Sequence, residues 1–240
     1  MMTRTFLGCC LALLLWPGMG WGAGTHVQAC EGSSAASQNT QSCTMTLTAG
    51  NGVAIWVSQA NGANTITSIA DGVNTYTTPA GCADSGPRGL RYSLNVAGGI
   101  TTFTVTHSAA SFGFIVVHEF SGANTFNVCA GINAQASPGI GTDAITSTAA
   151  TTANNAYVFG AMSDDSSLSN TYAAGTNFII RLSPDASGFK GVTESWNQTT
   201  GASTAATFTQ TTNRATRAAM MSFIQSGASS CHMALLGVGC

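Results

Sequence analysis

The sequence predicts an all-β fold: an antiparallel two-sheet sandwich, jelly-roll-like, with two pseudo-repeated halves. Three observations predict it. No segment holds a helical period, whereas short apolar or alternating runs recur between turn residues such as Asp71-Gly72 and Gly98-Gly99. Two of these runs, FGFIVVHEFSG (Phe112 to Gly122) and RAAMMSFIQSG (Arg217 to Gly227), are strand-length and end in the same Ser-Gly turn. At an offset of 105 residues the chain also repeats Phe103/Phe208, Thr104/Thr209, Thr106/Thr211, Ala110/Ala215, Ser121/Ser226 and Gly122/Gly227.

Residues 1–22 carry one Arg, an apolar run from Phe6 to Trp16, then Pro17 and small residues, the pattern of a secretory signal peptide. The run is shorter than the about 20 residues a membrane helix needs. Cys9 and Cys10 lie inside it. Export then explains the other cysteines of the eight in the chain: Cys30, Cys43, Cys82, Cys129, Cys231 and Cys240. An even set in an exported chain reads as disulfides. Nearest-neighbour pairing favours Cys30 with Cys43, Cys82 with Cys129, and Cys231 with Cys240. No pair has the C-x-x-C spacing of a zinc or redox site.

Residues 23–43 form a polar, disulfide-bracketed N-terminal segment, a loop or an edge strand, and residues 44–227 form the sandwich. TMTLT (Thr44 to Thr48) alternates, and GVAIWVS (Gly52 to Ser58) is continuously apolar, as a strand covered on both faces must be. Ile66 to Ile69 and Asn74 to Thr78 follow, then Leu90 to Val96 paired with Thr101 to His107 across Gly98-Gly99. Phe112 to Phe120 closes the first half, and Gly122 to Asp143 reads as a connector. The second half runs through Ala144 to Thr148, Ala156 to Met162, Tyr172, Phe178 to Leu182, Val192 to Trp196, Ala206 to Thr211 and Arg217 to Gln225. Residues 228–240 form a disulfide-closed tail around an apolar patch, too short to anchor in a membrane.

Asp71-Gly72-Val73-Asn74-Thr75-Tyr76 and Glu119-Phe120-Ser121-Gly122 resemble the D-x-x-G-N-x-Y and E-Y-S-G signatures of a domain recurring in exported bacterial proteins. Val73 stands where that signature has Gly. The domain is similar in outline to concanavalin-like jelly rolls, and the resemblance spans Thr44 to Gln225. It implies an extracellular accessory or binding module and brings no agreed catalytic residues.

Charged residues make up 7% of the chain and the formal net charge is -2. Nucleic-acid binding needs a basic face, which so few Lys and Arg do not supply. His118 and Glu119 alternate to opposite faces of one strand, so they form no dyad, and HEFSG lacks the second His of H-E-x-x-H. Phe223 and Ile224 take their places in the second half, so the two polar residues interrupt an apolar plan and become site candidates. A Glu there also serves simply to accept hydrogen bonds from loop amides or to pair with Arg. Glu194 and Trp196 share a strand face, where a ring can stack on a sugar beside a carboxylate that accepts its hydroxyls. The structural alternative is a core Trp and a Glu satisfied by Arg91 or Arg181.

Asp71, Asp84, Asp143, Asp164, Asp165 and Asp185 lie in predicted loops, where turn-capping is their ordinary use and calcium the rarer one. No metal site or cofactor is assigned. No G-x-S-x-G elbow occurs, and Glu119 and Glu194 stand alone on their strands rather than as a glycosidase pair. These readings combine into a secreted, non-catalytic binding or adhesion module for a glycan or cell-surface ligand. The alternatives are a structural subunit of a surface layer, fibre or phage-like appendage and, with less support, a glycan-cleaving hydrolase.

Overall fold

The structure, a computed structural model, describes residues 24–135, 143–147, 149–164, 170–211 and 215–225. The expected signal peptide, the tail and the Cys231–Cys240 pair lie outside the described residues.

The first half contributes β1 (Thr25–Ser33), β2 (Gln38–Leu47), β3 (Gly52–Gln59), β4 (Ile66–Ala70), β5 (Gly89–Ser93), β6 (Gly99–Ser111) and β7 (Gly113–Ser121). The remainder contributes β8 (Thr125–Gln135), β9 (Asp143–Thr146), β10 (Ala150–Thr151), β11 (Ala156–Asp164), β12 (Tyr172–Ala174), β13 (Ile179–Leu182) and β14 (Asp185–Ala186). It ends with β15 (Phe189–Gln198), β16 (Ser203–Thr204), β17 (Thr207–Gln210) and β18 (Thr216–Ile224). Every pairing is antiparallel, as expected. Among the described residues no helix is long and apolar enough to cross a membrane.

The described strands divide among five sheets rather than two. Two inner sheets, β1-β7-β3-β5 and β8-β18-β11-β15-β13, face each other. Trp56, Phe114, Val116 and Phe120 of the first meet Tyr157, Phe159, Met221 and Phe223 of the second in one buried cluster. The outer sheet β2-β6-β4 covers the other face of the first inner sheet, where Val53, Ile55, Ile115 and Val117 meet Met45, Leu47, Phe103 and Val105. The outer sheet β9-β17-β12 covers the second, with Phe208 against Val158, Val192 and Met220. A short β10-β16 pair completes the set.

This stacking explains the continuous apolar runs. All residues of β3 and β11 are buried, because alternate side chains enter different cores and neither face meets water. In contrast β2 alternates exposed with buried from Gln41 to Leu47, as the outer layer requires.

Several element assignments change. Within residues 23–43, β1 is the edge strand of the first inner sheet, and β2, an edge of the outer one, begins at Gln38 rather than Thr44. The predicted hairpin across Gly98-Gly99 does not form; β5 pairs with β3 and β6 with β2 and β4, because the chain changes layer between them. Asn74 to Thr78 makes only an isolated bridge, Thr77 to Tyr92. The expected connector contains β8, which pairs with β18 through two register shifts.

Disulfides join Cys30 to Cys43 and Cys82 to Cys129. The first ties β1 of the inner sheet to β2 of the outer sheet, and the second ties the loop after β4 to β8. Two intramolecular disulfides fit an extracellular or otherwise oxidising environment.

Candidate functional site

The four candidate binding residues fall into three separate layers. His118 points between the inner sheets, Glu119 points from the same strand into the outer core, and Glu194 and Trp196 face the core on the far side of the second inner sheet.

His118 is completely buried and satisfied at both ring nitrogens. Nε2 hydrogen-bonds with Thr193 Oγ1 at 2.8 Å and Nδ1 with Tyr157 Oη at 3.3 Å. His26, on β1, reaches the same Tyr157 hydroxyl at 3.4 Å, and the two imidazoles meet edge-on at 5.0 Å. Arg181 stands nearby, its Nε donating to Ser195 Oγ at 2.8 Å. Burial first, then the charge of His26 and Arg181, hold the His118 imidazole well below its ordinary value. Burial and Arg181 lower His26 to about 4, against the opposing pull of Glu119. Both rings are therefore neutral at pH 7, and the group is a polar seam between the inner sheets.

Glu119 is also buried. Its Oε1 accepts from the Thr48 backbone N–H at 2.8 Å and from Asn51 Nδ2 at 2.6 Å, while Gln28 Nε2 donates to Oε2. It therefore fixes the turn between β2 and β3 and ties it to β1, as the loop-amide alternative for a strand-end Glu describes.

Glu194 is fully buried, with Gly175 N–H donating to Oε2 at 3.1 Å and Thr207 N–H to Oε1 at 3.2 Å. Burial raises its carboxyl to about 8, outweighing these two bonds, which favour the charged form. Neither Arg91 nor Arg181 satisfies it: Arg91 grips Asp84 with both terminal nitrogens at 2.6 Å, and Arg181 is engaged with Ser195. Trp196 is half-buried, edge-on to Phe178 at 5.6 Å.

Asp71 and Asp185 serve turns, whereas Asp84 pairs with Arg91 and Asp164 lies in β11. Asp71 Oδ1 accepts from the backbone N–H groups of Val73 and Asn74, and Oδ2 from Asn74 Nδ2 and the Tyr76 hydroxyl. Burial alone would raise its carboxyl, but the hydrogen bonds from Tyr76, Asn74 and Val73 hold it below its ordinary value. The Asp, Asn and Tyr of that motif thus form one closed turn. Asp185 accepts from Gly188 N–H and pairs with Lys190 at 3.3 Å. Asp164 accepts from Asn170 and the Tyr172 hydroxyl. Asp165 lies outside the described residues. Among the described residues no three His, Cys, Asp or Glu side chains converge to hold a metal ion.

The sequence reading did not single out Tyr157, Thr193 or His26, and it named Arg181 only as a partner for Glu194. Tyr157 sits in an apolar run and reads as core; the usable signal was that His118 interrupts the apolar face of its strand and must find partners there. Compared with known proteins, the chain matches no family model, no curated protein sequence and no solved structure.

Proposed function

We propose that this chain is an exported, non-catalytic binding or adhesion module for neutral carbohydrate, built as two pseudo-repeated sandwich halves of the concanavalin-like kind. The observation that carries the reading is the commitment of the chemistry-bearing candidates to the interior. His118, Glu119 and Glu194 are each buried in a different layer with hydrogen bonds to neighbouring strands and turns, so recognition falls to the surface. Only 7% of the chain is charged, which suits a neutral polyhydroxyl ligand better than an ionic one.

Sheet order supports the duplication. The order β1-β7-β3-β5 parallels β8-β18-β11-β15, and β2-β6-β4 parallels β9-β17-β12. The repeated Phe103 and Phe208 fall on the corresponding strands β6 and β17. His118 opposes Ala54 as Phe223 opposes Tyr157, so the second half carries an apolar ring where the first carries the imidazole.

A glycan array of the oxidised, folded protein tests the reading. Retention of uncharged glycans is the expected result, and a blank array from folded protein overturns it. Trp196→Ala on the same array reports whether that half-buried ring takes part.

A further inference from the structure

The outward face of the sheet β2-β6-β4 carries an ordered set of hydroxyls. Register places Thr40 opposite Thr106, Ser42 opposite Thr104, Thr44 opposite Thr102 and Thr46 opposite Ile100. Alternation sends the intervening Cys43, Met45, Phe103 and Val105 into the core. Outside, Ser42 Oγ lies 2.9 Å from Thr104 Oγ1 and Thr44 Oγ1 lies 2.8 Å from Thr102 Oγ1. One proton holds each pair together, leaving the second O–H and the spare lone pairs for water or a ligand. Paired hydroxyls repeat every second residue, about 6.6 to 6.8 Å along the strand, with about 4.7 to 4.9 Å between strands. Cross-strand pairing restricts the rotors in advance, so less freedom is lost when a ligand binds.

Charge is missing from this face. The sequences of β2, β4 and β6 contain no Asp, Glu, Lys or Arg, and His107 on β6 is buried. Soluble globular domains average roughly 25% charged residues. Outward aromatic and Arg anchors, on which protein interfaces rely, are absent from these three strands. Around the two hydroxyl pairs the face offers hydroxyl, threonine methyl and Ile100, which is 82% exposed. A pyranose chain has the complementary make-up, with a rim of hydroxyls and apolar C–H faces.

We infer that this face, around Ser42/Thr104, Thr44/Thr102 and Ile100, is the contact surface for a neutral polysaccharide chain. The inference rests on the proposed carbohydrate-binding reading and assigns it a place in the fold, distinct from Trp196.

The test compares wild type, Thr44→Ala/Thr102→Ala, Thr102→Lys and Trp196→Ala by affinity electrophoresis through gels containing neutral α- or β-glucans. Circular dichroism and thermal unfolding check each fold; the ladder positions are exposed, so they tolerate substitution. At least a tenfold loss of retention in both ladder variants, with Trp196→Ala unchanged, is the expected result. Wild-type retention that persists in both folded ladder variants overturns the inference and leaves the carbohydrate reading standing. Retention lost only in Trp196→Ala overturns it in favour of that ring. A wild type that binds no glucan in any gel and no glycan on the array removes both. A wild-type dimer that Thr102→Lys turns into a monomer, without any change in glucan retention, shows that a second copy covers the face and also overturns the inference.

Discussion

His118 Nε2 and Thr193 Oγ1 lie 2.8 Å apart, joining β7 of the first inner sheet to β15 of the second. The bond crosses a cluster otherwise built from Trp56, Phe114, Phe159 and Phe223. In such surroundings an imidazole nitrogen deprived of its partner is left unsatisfied. Thr193→Val preserves the volume and removes the hydroxyl, so a loss of about 1–3 kcal/mol is expected in urea unfolding at pH 7. An unchanged midpoint would mean that the bond contributes nothing to joining the sheets.

Acid should weaken the same seam. The folded-state values of His26 and His118 lie below that of an unfolded histidine, so the unfolded chain binds protons first as pH falls. Their contribution is intact above about pH 6.5 and declines as the medium is acidified towards the lowered folded values. Unfolding free energy measured between pH 4 and pH 7.5 should therefore carry an acid-side decline that is smaller in His118→Gln. An equal decline in that variant would place the sensitivity elsewhere.

Glu194 carries the opposite sign. Its carboxyl titrates near 8 in the fold, above an unfolded glutamate near 4.3. The folded state therefore holds a proton that the unfolded state has released, and the stabilisation present below the unfolded value is lost as pH rises through the folded one. Glu194→Gln keeps a carbonyl for the N–H groups of Gly175 and Thr207 and removes the titration. The variant should be at least as stable as wild type at pH 8, with a flatter profile from pH 5 to 8. A profile parallel to wild type would show that Glu194 is ionised throughout that range.

The two disulfides should differ in worth. Cys30–Cys43 spans 13 residues and Cys82–Cys129 spans 47. Chain entropy alone gives about 3 and about 4 kcal/mol respectively. The longer loop also holds β8 to the first half. Cys82→Ala/Cys129→Ala should therefore unfold at lower denaturant than Cys30→Ala/Cys43→Ala, and the reverse order would show that native-state effects dominate.

The doubly covered strands were the most legible part of the chain. GVAIWVSQ carries no alternation because Trp56 enters one core and Ile55 the other. Periodicity names a face, however, and not the sheet that covers it, so the four-deep stack was invisible. Strand β8 was missed because TFNVCAGINAQ mixes Gly and Asn with apolar residues and pairs through bulges, which blur alternation. At the candidate site, the opposed directions of His118 and Glu119 followed from period two. The partners did not: Tyr157 and Gly175 lie far from His118 and Glu194 in sequence, and their meeting is decided by strand pairing and sheet stacking.

Incubation of the oxidised, folded protein with labelled neutral oligosaccharides, read by retention and by product mass, tests the proposed binding without cleavage. Retained glycans of unchanged length are the expected result. Folded protein that retains none of them, or that returns shortened products, would contradict it.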